Sequence, residues 1–315
     1  MIGVDGYTMS ALGTQCSLLG YFRPPSSEAV KIFSELIDQM DLAASRFRED
    51  SEICRIFNGQ ACNRVKVSPL LFDALQAALR GAEVTGGYLD PTVAGTMAAL
   101  GYKADFKRTL ANGASVPGGQ QAVLPRGYKN IKLDRTNGVV TVAQGVTFDL
   151  GSTGKAFLAD RIKESIEFEL SEQVLVNLGG DISASIPGDG RCWPVKITND
   201  RSLDLTSDGI TIAVFGGGVA TSSTLRRAWK SGDRDLHHIV DPFSGESAKS
   251  IFDSVTVLAG SALDANIASC GTIAMASRGP DWLASTGLPA LARKEFSRSR
   301  CFGNFERSIV SGELS

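Results

Sequence analysis

The two histidines of this chain stand side by side in Leu236-His237-His238-Ile239-Val240-Asp241-Pro242-Phe243-Ser244-Gly245. Imidazole takes and gives protons near neutral pH, so the pair is a candidate general base. Asp241, held in a turn by Pro242 and Gly245, is a candidate to orient His238. Upstream, Gly216-Gly217-Gly218 leads into Val219-Ala220-Thr221-Ser222-Ser223, a run of small and hydroxyl side chains. The same residues suit a strand, a turn and a polar hairpin, because titratable clusters mark sites only statistically. Two adjacent histidines with a turn aspartate and a hydroxyl run favour chemistry.

Three further constellations carry polar chemistry. Gly151-Ser152-Thr153-Gly154-Lys155 precedes a helical pattern, and backbone amides at a helix start hold anions. It is not a phosphate-binding Walker loop: its glycines are too close together, and Ala156 stands where Ser or Thr is needed. Lys155 adds a cation for phosphate, and Asp160 a carboxylate for a ribose or base. Asn177-Leu178-Gly179-Gly180-Asp181 reads first as a tight turn, and second as a place where a planar ligand approaches bare backbone. In Asp264-Ala265-Asn266-Ile267-Ala268-Ser269-Cys270, positions 266 and 270 share a helix face. Close helix packing through small residues is the default account of that segment. Asn offers a hard neutral oxygen and Cys a soft sulfur, which suits magnesium poorly.

Composition bounds the answer. With 32 basic against 34 acidic residues the net charge is −2, so no basic field exists to attract nucleic acid. No run is apolar over the ~20 residues that a membrane helix needs. Met1–Gly6 shows no basic region followed by an apolar core, and the expectation is a cytoplasmic protein. The six cysteines have irregular spacing and no Cys-x-x-Cys pair, and read mostly as small buried hydrophobes.

Elements that would position these groups can be read from periodicity. Residues 8–22 read as a strand with a glycine break. Val30, Phe33, Ile37 and Met40 recur at helical spacing, with Ser27 as cap. Ser68-Pro69 opens a helix through Leu71, Leu75 and Leu79 that stops near Gly86-Gly87. Residues 103–126 read as a surface excursion. Val139, Thr141 and Val146-Thr147-Phe148 suggest a hairpin, and 156–170 a helix bearing Phe157, Leu158, Ile162 and Ile166. Strands are expected near 174–177, 195–197, 210–214 and 254–258, a small-residue helix over 262–276, and an amphipathic tail after 280. Helices and strands do not alternate as in a doubly wound sheet, so the class is α+β in one integrated unit, 1–315.

In this order the motifs resemble the ApbE family of FAD:protein FMN transferases, over roughly residues 8–278. The resemblance rests on Ala11-Leu12-Gly13-Thr14, Ser45-Arg46-Phe47 with Asp50-Ser51-Glu52-Ile53, Gly86-Gly87-Tyr88-Leu89-Asp90-Pro91-Thr92, and Asp149-Leu150-Gly151-Ser152-Thr153-Gly154-Lys155-Ala156 with Asp160. Asn177-Leu178-Gly179-Gly180-Asp181, Ala220-Thr221-Ser222 and His238-Ile239-Val240-Asp241-Pro242 complete it. It implies a two-lobed α+β fold of mixed sheet and helix with a flavin cleft. It further implies cleavage of FAD with Mg²⁺, attachment of FMN through a phosphoester to a Thr or Ser of an acceptor protein, and release of AMP. By the same carry-over, Leu12 lines the flavin pocket. Tyr88, Leu89, Asp90, Thr92, Lys155, Asp160, Gly180, Asp181 and Thr221 contact the cofactor. His238 is the base that deprotonates the acceptor, with Asp241 as its orienting partner.

The metal motif departs from the family pattern. Ala-Asp-x-x-x-Thr becomes Ala265-Asn266-Ile267-Ala268-Ser269-Cys270, leaving Asn266, Cys270 and a main-chain carbonyl near Ser152 as the implied ligands. Asp264 lies two residues earlier and faces another direction. The alternatives to transfer are an FAD-binding paralogue that carries or senses flavin, and an FAD pyrophosphatase.

Overall fold

The computed structural model describes residues 4–57, 63–102, 123–125, 127–198, 208–231, 233–295 and 299–312. The chain opens with β1 Val4–Ala11, β2 Thr14–Tyr21, α1 Ser27–Ala44, α2 Glu52–Phe57, β3 Asn63–Lys66, α3 Pro69–Val84 and α4 Ala94–Ala99. It continues through β4 Ile131–Asp134, β5 Val139–Val142, α5 Gly154–Leu170, β6 Val174–Leu178, β7 Asp181–Ala184, β8 Trp193–Thr198, β9 Gly209–Val214 and β10 Gly217–Ser223. Then come β11 Ala228–Ser231, β12 Arg234–His237, β13 Val240–Asp241, β14 Glu246–Ser247 and β15 Ser254–Ala259. The remaining elements are α6 Ala262–Ala274, α7 Gly279–Thr286, β16 Ala290–Arg293, β17 Arg300–Phe302 and β18 Ile309–Ser311. Most of the expected excursion over 103–126 lies outside the described residues. None of the described helices is long and apolar enough to cross a membrane.

The chain divides into two compact units. One comprises Met1–Ser34, Ala159–Arg226 and Lys249–Ser315; the other comprises Glu35–Leu158 and Arg227–Ala248.

The first unit is built on an eight-stranded sheet, ordered β1-β2-β6-β7-β10-β15-β16-β17, whose neighbours all pair antiparallel. Side chains alternate between its faces. Ile182, Ala184 and Val219 point to one face, where Trp193, Val195, Ile210, Ile212 and Phe305 from the β8–β9–β18 sheet region cover them. Asp181, Ser183, Gly218 and Ser222 point to the other face, toward α6. The small residues expected to allow tight packing do so: Ser222 and Ser269 exchange a 2.9 Å hydroxyl bond. A Cβ on Gly218 would lie 2.1 Å from the Ala262 nitrogen, so only glycine permits this approach.

The expected single strand over 8–22 is a hairpin. Leu12 and Gly13 take φ of 52° and 67°, the left-handed pair of a two-residue hairpin turn, and this splits the run into β1 and β2. The tail also pairs: β16 and β17 extend the large sheet, where only an amphipathic tail was expected. The α1 cap is Ser26 rather than Ser27, since Ser26 Oγ accepts from the Ala29 amide at 3.1 Å. α5 buries Leu158, Ile162 and Ile166, each worth about 1.5–3 kcal/mol of apolar burial, while Phe157 stays half-exposed.

In the second unit α3 starts as read: Ser68 Oγ accepts from the Leu71 amide at 3.2 Å and Pro69 occupies the first turn. Its three-stranded sheet is ordered β3-β5-β4, so the hairpin partner of 139–142 is 131–134. Residues 146–148 form no strand. A cluster of Met97, Leu100, Tyr102, Trp229, Leu236 and Val240 ties α4 to β11–β13.

Candidate functional residues in each unit

His238 belongs to the second unit. It follows β12 immediately, and its amide donates to the Arg227 carbonyl at 3.1 Å. Its Nδ1 is buried and has no hydrogen-bond partner. Burial first, then the positive charges of Arg227, His237 and Lys155, push its pKa well below 6.5. The ring is therefore neutral at neutral pH and able to accept a proton. His237 is also lowered by burial, and its Nε2 lies 2.9 Å from the Ala248 carbonyl.

Asp241 does not orient His238. Its Oδ1 accepts from the Phe243 amide at 3.0 Å and its carbonyl accepts from Gly245, closing a local turn. Asp241 sits in β13, paired with Glu246, and the Pro-Phe-Ser-Gly turn consumes its carboxylate.

The Gly151–Lys155 loop is held from behind. Asp149 Oδ1 accepts from the Gly151 amide at 2.7 Å, and Asp149 Oδ2 pairs with Arg46 Nε at 2.6 Å. The Asp149 amide donates to the Pro91 carbonyl, tying this loop to the 88–92 turn. Arg46 also donates to the Tyr102 carbonyl and lies over the Phe47 and Tyr102 rings. Arg46, a motif residue with no role evident from sequence, thus acts by holding Asp149 from a largely buried position. Lys155 Nζ donates to the Gly151 carbonyl at 3.1 Å. Ser152 lies within this loop and is half-buried.

Asp90 and Thr92 form an internal network. Asp90 Oδ1 accepts from the Thr92 amide and hydroxyl at 2.8 and 2.7 Å, and Oδ2 accepts from the Tyr128 amide at 2.9 Å. Thr92 Oγ1 accepts from the Gly127 amide. These side chains shape the turn rather than project from it. Leu89 is buried, its amide bonded to Thr85 Oγ1. Tyr88 packs edge-on against Phe243 at 5.0 Å, and Phe243 is largely exposed.

The remaining residues belong to the first unit. Leu12 and Gly180 occupy the tips of the β1–β2 and β6–β7 hairpins; Thr14 packs on Gly179, and nothing fills the space beside Gly180. Asp160 is committed to structure. Its carboxylate accepts from Ser183 Oγ and from the Ala262 and Leu263 amides at 2.6, 2.8 and 2.9 Å, capping α6. Burial raises its pKa against those bonds. Thr221 lies within β10. Its Oγ1 sits 2.9 Å from Thr256 Oγ1, on the sheet face opposite Asp181, as strand parity requires.

Asp181 and Asn266 meet across the sheet–helix contact. Asn266 Nδ2 donates to Asp181 Oδ1 at 2.9 Å, and the residues are 6% and 5% exposed. Asn266 Oδ1 is buried without a partner. A hard neutral oxygen of this kind fits Mg²⁺, whereas the buried Cys270 thiol one turn further does not. Among the described residues no group of three or more His, Cys, Asp or Glu is arranged to hold a metal alone.

The architecture is α+β, and its large sheet is antiparallel throughout. A profile of the ApbE family matches residues 12–292, and the chain belongs to that family. It is 29% identical over 277 residues to an FAD:protein FMN transferase of Treponema pallidum (strain Nichols), covering 81% of this chain and 74% of that one. It is 26% identical over 268 residues to one of Klebsiella pneumoniae (strain 342), covering 84% and 80%. The crystal structure of the ApbE protein from Thermotoga maritima superposes with a TM-score of 0.77 at 25% identity, over 98% of this chain and 100% of that one. The apo flavinyl transferase ApbE of Pseudomonas stutzeri shares the fold, with a TM-score of 0.78 at 18% identity over 99% and 98% of the two chains.

Proposed function

We propose that the chain is an FAD:protein FMN transferase that uses FAD as substrate and a divalent cation, Mg²⁺ by donor chemistry. The acceptor is a Thr or Ser hydroxyl of a partner protein. Its oxygen forms a bond to the FMN phosphorus, the bond from that phosphorus to the bridging oxygen breaks, and AMP leaves carrying the bridging oxygen. The hydroxyl proton passes to the His238 imidazole and then to solvent.

His238 carries this reading. Burial and neighbouring cations keep the ring in the neutral form that accepts a proton, while lowering its basicity; a positioned general base contributes about 10²–10⁴-fold. Transfer of this kind depends mainly on positioning and charge neutralisation. Lys155 supplies one positive charge, while Asp149, held by Arg46, fixes the loop that presents it. Asn266 would hold the cation, which when bound neutralises diphosphate charge. Asp90, Thr92 and Asp160 contribute by shaping backbone, and Leu12 and Gly180 by leaving the hairpin tips accessible to a flat ring.

The test is incubation with FAD, Mg²⁺ and a domain carrying an acceptor threonine, followed by in-gel flavin fluorescence, intact mass and AMP quantification. Transfer gives one FMN on the acceptor per AMP released. AMP and free FMN without labelled protein would replace this reading with a pyrophosphatase. Tight FAD binding with neither product would replace it with a flavin carrier.

A further inference from the structure

The pairing of Asp181 with Asn266 follows from two local rules. Strand alternation turns Asp181 toward α6, because Ile182 and Ala184 are taken by the core on the opposite face. The contact of Gly218 with Ala262 brings α6 close enough for the fifth residue of the helix to reach that carboxylate. The resulting bond fixes the amide's orientation. With Nδ2 donating to Asp181 Oδ1 at 2.9 Å, Oδ1 must face away; a flipped amide would set oxygen against carboxylate oxygen.

That enforced orientation leaves Asn266 Oδ1 buried with no partner, which is unfavourable for an amide oxygen taken out of water. A chain that needed only a helix–sheet clamp would be better served by an apolar pair. The carboxylate also polarises the amide, drawing electron density onto the unpartnered lone pairs of Oδ1. Carboxylates placed one hydrogen bond behind a metal-bound histidine orient and strengthen that ligand in the same way. Mg²⁺ needs few protein ligands, since it keeps waters and binds substrate phosphates.

We propose that Asp181, one hydrogen bond behind Asn266, is a positioning residue that orients and polarises the amide oxygen which would hold the divalent cation accompanying FAD. The negative charge lost where the family motif has a helix aspartate is thereby retained one residue further out, on β7. This rests on the metal dependence given under the proposed function.

The experiment reads metal binding, not turnover. Mn²⁺ is titrated into protein saturated with FAD in the cold, free Mn²⁺ is followed by electron paramagnetic resonance, and FAD is checked for integrity. Asp181→Asn should weaken Mn²⁺ by about 10–100-fold, and Asn266→Ala by at least as much. The double variant Asp181→Asn/Asn266→Asp, which moves the charge to the ligand itself, should return to roughly wild-type affinity. Circular dichroism and FAD fluorescence check folding and flavin binding. If Asp181→Asn alone does not fold, the other two variants decide. Asp181→Asn or Asn266→Ala binding Mn²⁺ as tightly as wild type, or a double variant binding no tighter than Asp181→Asn, overturns the inference and leaves the transferase reading intact. Wild-type protein with FAD that retains no Mn²⁺ overturns the metal dependence itself.

Discussion

At the scale of single residues, His238 and Leu12 make the sharpest predictions. His238→Gln should lower the rate of AMP release by about 10²–10⁴-fold, with the FAD dissociation constant unchanged in a fluorescence titration. The pH profile follows from the direction of the shift. A ring whose pKa is driven below 6.5 stays a base as the solution is acidified, so the acid limb of the rate must lie below pH 6.5. A limb at or above 6.5 contradicts a buried base. Leu12 holds a left-handed φ of 52°, a conformation costing a branched side chain about 1–2 kcal/mol. Leu12→Gly should therefore raise stability by about 1 kcal/mol in a denaturant titration and weaken FAD binding. Stability gained without loss of flavin affinity would remove Leu12 from the flavin contacts. The histidine pair was legible from residue type alone. Asp241 was misread because an aspartate before Pro-x-x-Gly suits a turn as well as a base partner, and here the turn takes the carboxylate.

At the scale of elements, Asp160 shows how a motif residue can act through the fold. Asp160→Ala removes the acceptor for two amides at the start of α6 and should cost about 0.5–2 kcal/mol in unfolding free energy. The FAD dissociation constant should hold steady; a large rise with stability unchanged would restore Asp160 to the flavin contacts. α3 was legible because Ser68-Pro69 encodes its own start. β16 and β17 were not, because short edge strands after a helix leave little periodicity to read. Asp160 with Ala262 and Asp181 with Asn266 are separated by 102 and 85 residues, so no local pattern announces either pair. Parity along β10 could have flagged Thr221: placing Ser222 toward α6 sends its neighbour to the other face.

At the scale of the whole molecule, pH couples to stability through the buried imidazoles. Both histidines have folded-state pKa values below 6.5, so the unfolded chain binds more protons as pH falls through 6.5. Stability is then level above that value and declines below it by up to about 1.4 kcal/mol per pH unit per histidine. Thermal melts from pH 7.5 to 5.0 should show the decline, and His238→Gln should flatten part of it. Chain threading has a separate consequence. The polypeptide passes from one unit to the other after Ser34, Leu158, Arg226 and Ala248. No contiguous fragment therefore encodes either half. A gene shortened to end at Ala248 would lack α6, β15 and β16, leaving β10 without one neighbour in the large sheet and Asp181 without its amide partner. Fusion partners therefore belong at the ends of the polypeptide, not at the crossings between its halves.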